Sequence, residues 1–242
     1  MLEAAFWGFV GGAALLVGAV AGLVLPVSRP VIGAIMGFGA GVLISAVAFE
    51  LSVDAFERGG TLSLSLGLGA GALTFFAADW AVDRRGADMR KRSSGQPADG
   101  SATALVIGAL LDGIPESVAI GVSLLEGGQV GLAVVVAVFL SNVPESLSAA
   151  TGMRAAGRSP GYILALWGTV AAVSAIAAAL GFGVLGGAPP ATVAVIQAFA
   201  AGAILTMLAD TMMPEAFESG GRAVGLLTTL GFALAFLLSN TG

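Results

Sequence analysis

Two short segments that almost repeat each other place a proline and a carboxylate inside long apolar stretches. They read Asp-Gly-Ile-Pro-Glu-Ser at 112–117 and Ser-Asn-Val-Pro-Glu-Ser at 141–146. A charged residue at the centre of a bilayer costs about 2.5–3.5 kcal/mol on insertion scales, so acids at that depth usually mark ion pathways or binding sites. Two matched copies therefore indicate a cation site.

The spacing inside each segment gathers oxygen ligands on one helix face. Residues four apart are neighbours along a helix, and this spacing separates Asp112 from Glu116 and Ser141 from Glu145. Three carboxylates with an amide and a hydroxyl form an all-oxygen set. Such a set suits Mg²⁺ and Mn²⁺, and less ideally Fe²⁺ or Zn²⁺. The candidate metal ligands are Asp112, Glu116, Ser141, Asn142 and Glu145.

The two prolines could supply further ligands. Proline has no backbone N–H, so Pro115 and Pro144 leave the carbonyls of Leu111 and Leu140 without their usual helical donors. Where the two helices face each other, these carbonyls would extend the oxygen set. The alternative is that the prolines only kink two helices whose acids are protonated or hydrogen-bonded internally.

The composition restricts the protein class. Hydrophobic residues make up 57% of the 242 residues and charged residues only 10%, whereas soluble domains carry about 25% charged residues. A polytopic membrane protein is therefore expected. Disulfides, zinc–thiolate sites and imidazole chemistry are excluded because the chain has no Cys and no His. The sequence shows no basic groove of the kind that binds nucleic acid. The N-terminus lacks the basic region of a signal peptide, so no cleaved signal peptide is predicted.

Eight stretches are long enough to span a membrane, which takes about 20 apolar residues. They lie at roughly 4–27, 30–52, 61–83, 102–125, 129–153, 160–185, 190–213 and 222–240. Residues 1–242 are therefore predicted to form a single all-α transmembrane domain. The one substantial polar segment, 84–101, is rich in Ser, Gly and Arg and is expected to be a loop.

The distribution of basic residues predicts the orientation. With the N-terminus outside, every Lys and Arg except Arg58 falls in a loop on the inner side. The positive-inside rule then places both termini outside an inner membrane and the loop 84–101 in the cytosol.

The chain also repeats internally. Residues 55–60 and 216–221 share the pattern Ala-Phe-Glu-x-Gly-Gly, and they follow spans that cross in opposite directions. The Pro-Glu-Ser copies lie on the fourth and fifth spans, which are also opposed. The prediction is an inverted three-plus-two-plus-three pseudo-symmetry, which is typical of secondary transporters. The alternative is that helices rich in small residues resemble each other by composition.

With these motifs the chain resembles the ZIP (Zrt/Irt-like) family of divalent metal transporters. That family has eight spans, both ends outside and a long cytosolic loop between the third and fourth spans. Its fourth span usually carries His-Asn-x-Pro-Glu-Gly, and its fifth carries a related Pro-Glu-Gly motif led by His or Gln. The segment Asp-Thr-Met-Met-Pro-Glu-Ala at 210–216 is similar to the seventh-span signature of the GufA-like branch.

The resemblance assigns roles to single residues and shows departures. Glu116 and Glu145 match the family's metal-binding glutamates. Asp112 stands at the usual His of the fourth span, and Ser141 stands at the His or Gln of the fifth. Asn142 replaces an acid. The sixth span contains no acid, so a second bound metal is not expected.

The predicted function is transport of a divalent cation of the Zn, Mn, Fe or Mg class, with no enzymatic activity and no resident cofactor. The resemblance implies a homodimer in which spans one, four, five and six move against the other four. Three alternatives remain open: a non-transporting metal sensor, a cation/calcium exchanger, and an intramembrane hydrolase in which paired carboxylates act as acid and base.

Other acids are assigned weaker roles. Glu50 in the second span and Asp210 in the seventh are possible pathway residues. Solvated or capping roles are expected for the acids near span ends, which are Asp54, Glu57, Glu215 and Glu218. Two series of glycines four residues apart predict close helix packing within the chain or at a dimer contact; they are Gly33, Gly37 and Gly41, and Gly67 and Gly71.

Overall fold

A computed structural model describes residues 1–87, 102–125 and 130–239, and every regular element in these ranges is helical. The α-helices are α1 (Leu2–Val24), α2 (Arg29–Ala46), α3 (Val53–Val82), α4 (Ala102–Ser123), α5 (Leu132–Ala155), α6 (Pro160–Leu185), α7 (Pro190–Met207), α8 (Met213–Gly220) and α9 (Ala223–Ser239). Most of the predicted loop 84–101, residues 88–101, lies outside the described ranges. The all-α class is confirmed.

Six segments of the described chain are long and apolar enough to cross a membrane. One of them, Arg29–Arg85, is long enough for two crossings, and the apolar helix Ala223–Ser239 falls just short of the length required. The protein is therefore a multi-pass membrane protein, while the count of eight spans stays a prediction.

Glycine and proline mark the helix boundaries. The first turn of a helix contains Pro30 in α2, Pro160 in α6 and Pro190 in α7. The N–H groups of a first turn have no acceptor within the helix, so proline, which lacks an N–H, costs no hydrogen bond there. Gly60 interrupts α3 with φ 68°, and Gly221 separates α8 from α9 with φ 64°. Only glycine adopts such angles without strain, so the two Gly-Gly pairs turn the chain at matched places.

A π-helical turn precedes each of these breaks. Val47–Ser52 joins α2 to α3, and Leu208–Met212 joins α7 to α8. The Ser52 hydroxyl donates to the carbonyl of Val47 at 2.8 Å, and that of Thr211 donates to Met207 at 2.8 Å. Such turns occur mainly as single bulges and often at functional sites.

Glycine contacts give the relative direction of two helix pairs. A Cβ atom on Gly37 would lie 2.7 Å from Val224, and one on Gly41 would overlap Thr228, so α2 and α9 run parallel. In the same way α3 and α7 run parallel, with the glycines at 67 and 71 facing the segment 195–199 of α7. The predicted close-packing faces are confirmed, and they are used inside the chain.

The other half of the molecule is built around α1. Gly8 and Gly12 of α1 lie against α6, whereas Gly18 and Gly22 lie against α5. Gly121 of α4 packs on α6. The helices thus form two bundles, one of α1, α4, α5 and α6 and the other of α2, α3, α7, α8 and α9, with α2 touching α5 and α4 touching α7 where the bundles meet.

Candidate metal site

All five predicted ligands lie on α4 and α5, and all are buried. Glu116 is 1% exposed and Glu145 is 3% exposed, and the side chains of Asp112, Ser141 and Asn142 are similarly enclosed. Both helices continue through their internal prolines. Buried carboxylates are costly unless they are protonated, hydrogen-bonded or paired with a cation. Each of the five side chains is thus a polar or acidic group buried inside an apolar protein.

Hydrogen bonds orient the polar ligands of α5. The Asn142 amide nitrogen donates to the carbonyl of Gly11 on α1 at 3.1 Å. Because a carbonyl only accepts, this bond leaves Oδ1 of Asn142 as the amide atom that can face a cation. The Ser141 hydroxyl donates to Val138 at 3.0 Å, so its lone pairs stay available. Both side chains can therefore act as neutral oxygen ligands.

The α4 segment packs on α6 through its glycine. A Cβ atom on Gly113 would lie 3.4 Å from Val170 and 3.7 Å from the Ser174 hydroxyl, both on α6. The Ser117 hydroxyl donates to the carbonyl of Gly113 at 2.6 Å. Gly113 stands where the His-Asn-x-Pro-Glu-Gly motif has Asn, and in this chain it faces a neighbouring helix.

The carbonyl that Pro144 leaves without a helical donor has a neighbour on α2. A Cβ atom on Gly39 would lie 3.1 Å from the carbonyl oxygen of Leu140 and 3.3 Å from the Pro144 ring. The small residue on α2 therefore allows the backbones to approach closely at the proline. This carbonyl lies where α2 meets α5, which the sequence pattern did not predict.

The carboxylates do not form a closed cluster. Within the described residues, no group of three or more Asp, Glu, His or Cys side chains is close enough to hold a metal ion. The reason lies in the packing, since α4 contacts chiefly α6 and α5 contacts chiefly α1, and the two ligand-bearing helices touch each other little.

The sequence model of the ZIP zinc transporter family matches residues 82–239, more than half of the chain. The chain belongs to the ZIP zinc transporter family. ZIP proteins are membrane transporters of divalent metal cations rather than enzymes, and the matched region contains both Pro-Glu segments. No curated protein matches the chain. Helices α1, α2 and nearly all of α3 precede the matched region of this ZIP protein.

The predicted pathway residues of the ZIP protein both lie in π-helical turns. Glu50 is partly buried, and its carboxylate accepts a hydrogen bond from the Ser239 hydroxyl. Asp210 is exposed on the protein surface and lies within electrostatic range of the buried Asp79 on α3. Neither acid belongs to the buried group on α4 and α5, and their pathway roles stay predictions.

The expectation for Glu215 was wrong. A solvated or capping role was predicted, but Glu215 is buried and accepts hydrogen bonds from Ser148 on α5 at 3.3 Å and from Ser219 at 3.0 Å. The helix continues past the predicted end of the span, which encloses the carboxylate. The signal that could have found it is the Pro-Glu pair at 214–215, the third in the chain. Glu218, by contrast, is exposed and pairs with Arg29 at 3.9 Å.

Gln197 on α7 is a second polar residue that the sequence pattern missed. It is 1% exposed, and its amide nitrogen donates to the backbone carbonyl of Glu50 at 3.2 Å and to the Asp54 carboxylate at 3.5 Å. Gln197 thereby ties the turn Val47–Ser52 to α7. A lone Gln in an apolar helix gives no indication of its partner in the sequence.

Proposed function

We propose that this ZIP protein moves a divalent metal through an oxygen site on α4 and α5. Glu116 and Glu145 are the principal ligands, assisted by Asp112, Ser141 and Asn142. The observation that carries the proposal is the burial of three carboxylates on two helices of a ZIP transporter. Buried carboxylates are common at ion pathways in membrane transporters, and a divalent cation is a partner that such acids can bind.

The proposed site closes when the metal enters. Because no three acids converge in the described residues, the ligands must approach from α4 and α5 as the helices shift. The limited direct contact between these helices is compatible with such a shift. Metal uptake by proteoliposomes tests the proposal, and it also separates transport from the remaining alternative of a non-transporting metal sensor. Family membership removes the exchanger and hydrolase alternatives.

Weak zinc preference is the expected consequence of a site built from oxygen alone. Zn²⁺ gains most from nitrogen and sulfur ligands, and this chain has neither His nor Cys. We expect Mn²⁺ to compete well with Zn²⁺ in equilibrium binding, and Asp112→His to shift the preference toward Zn²⁺ by about tenfold, or 1.4 kcal/mol. A wild-type protein that prefers Zn²⁺ a thousandfold, unchanged by the added imidazole, would contradict this expectation.

We further propose eight crossings with inverted pseudo-symmetry. The break at Gly60 divides Arg29–Arg85 into two crossings, and Ala223–Ser239 supplies the last. Four parallel contacts support this count: α1 with α5, α4 with α6, α2 with α9, and α3 with α7. Each pair joins spans that would cross in the same direction. The pseudo-symmetry exchanges the first three spans with the last three and the fourth span with the fifth. Under this exchange the contact of α1 with α5 becomes that of α6 with α4, and the contact of α2 with α9 becomes that of α7 with α3.

The orientation is proposed from the same basic residues, with both termini outside an inner membrane. The contacts of four arginines are compatible with positions at the ends of the spans. Arg154 donates to the carbonyl of Leu23, and Arg29 lies at the same end of the molecule, paired with Glu218. Arg84 lies over Trp80 at 4.6 Å and Arg158 over Tyr162 at 5.5 Å, as is typical of side chains at a membrane interface. A homodimer stays a prediction from family resemblance.

A single cysteine tests the orientation directly. The chain has no Cys, so Ser94→Cys introduces the only thiol. We expect this thiol to be unreactive toward an impermeant maleimide in intact cells and reactive after permeabilisation. A cysteine at Thr61, at the opposite end of the predicted third span, is the matched control and should react in intact cells. Reaction at position 94 before permeabilisation would reverse the proposed orientation.

A further inference from the structure

A lateral groove with a volume of about 340 Å³ lies between α2, α5 and α9, away from the acids of α4. Its walls include Phe38, Leu140 and Leu234, and it opens sideways, because Val136 is 43% exposed and Leu238 is 65% exposed at its edge. In a membrane-spanning chain, such an opening faces the hydrocarbon of the bilayer. The groove is therefore accessible to lipid.

The groove has one charged end and one apolar end. Among the described residues that line it, Glu50 is the only one with a charge. Leu132 lines the end near Glu50, and Leu140 lines the far end, next to Gly39. From Phe38 to Glu50 the helix rises about 18 Å at roughly 1.5 Å per residue. This length is close to one leaflet of a hydrocarbon core about 30 Å thick.

The carboxylate at the charged end is held in place by its surroundings. Ser239 donates to one oxygen of Glu50 from α9, and Gln197 donates to the Glu50 backbone carbonyl from α7. The side chain projects from a π-helical turn, which is closed by the hydroxyl of Ser52. Ser239 therefore holds the Glu50 carboxylate, and Gln197 holds the Glu50 backbone, at the charged end of an apolar groove about one leaflet long.

We propose that this groove binds one acyl chain of a membrane lipid that carries a primary ammonium headgroup, as in phosphatidylethanolamine, with the ammonium donating to Glu50. The apolar walls accept the chain, and the length accommodates it. An ammonium can form charge-assisted hydrogen bonds with the carboxylate. A headgroup with net negative charge would be repelled by Glu50, and the described lining offers no Lys or Arg to compensate it.

The bound lipid lies where the two bundles meet. Val136 and Leu140 belong to the α1, α4, α5 and α6 bundle, whereas Phe38 and Leu234 belong to the other bundle. The lipid thus contacts both bundles at once, through a face of α5 other than the one that carries Glu145. Its binding is measurable without any metal, so the test is independent of the proposed transport.

Native mass spectrometry of the full-length, delipidated protein tests this proposal. The probes are phosphatidylethanolamine, phosphatidylcholine and phosphatidylglycerol with identical chains. We expect phosphatidylethanolamine to be retained at least tenfold better than phosphatidylcholine, whose headgroup lacks N–H donors. Glu50→Gln should reduce that ratio to below twofold. The matched control is Glu57→Gln, because Glu57 is exposed and lies outside the groove, and it should leave the ratio unchanged.

A second variant tests the groove without altering its charge. Val136→Trp fills the groove from its lipid-facing edge and should remove most of the retained phosphatidylethanolamine while Glu50 is intact. The proposal would be overturned by an unchanged lipid preference in Glu50→Gln, by stronger retention of phosphatidylglycerol, or by unchanged lipid retention in Val136→Trp. A lipid-free dimer that forms in place of the lipid-bound species would likewise show that a second copy of the chain covers this face.

Discussion

Glu116→Gln and Glu145→Gln are each expected to abolish metal uptake in proteoliposomes while the protein still folds. Glutamine has nearly the same shape as glutamate, so the packing around these buried side chains is retained. The substitution removes one negative charge from an environment of low dielectric constant, where charge interactions are strong. We expect metal affinity to fall at least tenfold, or about 1.4 kcal/mol.

The measurement combines metal flux with a metal-dependent thermal-shift series, so that loss of binding is separated from loss of folding. Glu57→Gln is the control, because it removes the same charge from an exposed position on α3. The control should transport metal like the wild type. Full transport in both site variants would place the pathway elsewhere in the molecule.

Gly71→Ala is expected to destabilise the protein by about 1–3 kcal/mol, the usual effect of overpacking. A Cβ atom on Gly71 would overlap the carbonyl oxygen of Phe199 on α7, so the two parallel helices must separate. Gly69 provides a matched control on the same helix, because a Cβ atom there meets no atom within 4 Å. Gly69→Ala should be neutral or should stabilise the helix by up to about 1 kcal/mol.

Unfolding in detergent, followed by circular dichroism against temperature or denaturant, measures both variants. The expected result is a lower midpoint for Gly71→Ala and an equal or higher midpoint for Gly69→Ala. Equal midpoints for the two variants would show that α3 and α7 do not pack as closely as their glycine contacts indicate.

The helical segments were predictable because hydropathy and helix-boundary residues are local signals. Apolar runs of membrane length identify the long helices, and prolines such as Pro160 mark where helices begin. The Gly-Gly pairs at 59–60 and 220–221 mark two sharp breaks, since each provides the positive φ angle that the turn requires. The π-helical turns were not predictable, because they depend on packing and on a neighbour such as Gln197.

The five candidate ligands are buried, but their role as metal ligands stays a prediction, and their geometry could not be read from the sequence. Periodicity placed Asp112 and Glu116 on one face, and the structure buries both. The bond between Asn142 and Gly11 joins residues that are distant in the chain, and no local pattern encodes it. The same holds for Ser148 and Glu215. The sequence also could not show that α4 packs chiefly on α6 and α5 chiefly on α1, with little contact between α4 and α5 themselves.

The two π-helical turns also affect how the chain tolerates changes in length. Each wide turn accommodates about one residue more than a regular helix would need. Deleting one residue from Val47–Ser52 would restore ordinary helical geometry there without breaking the helix. The deletion would also rotate the helical segment 53–59, which precedes the break at Gly60, by about 100° relative to α2 and shift it by about 1.5 Å. Gly59 would then turn away from Ala194, so the surplus residue sets the angular register between the two halves of each long helix.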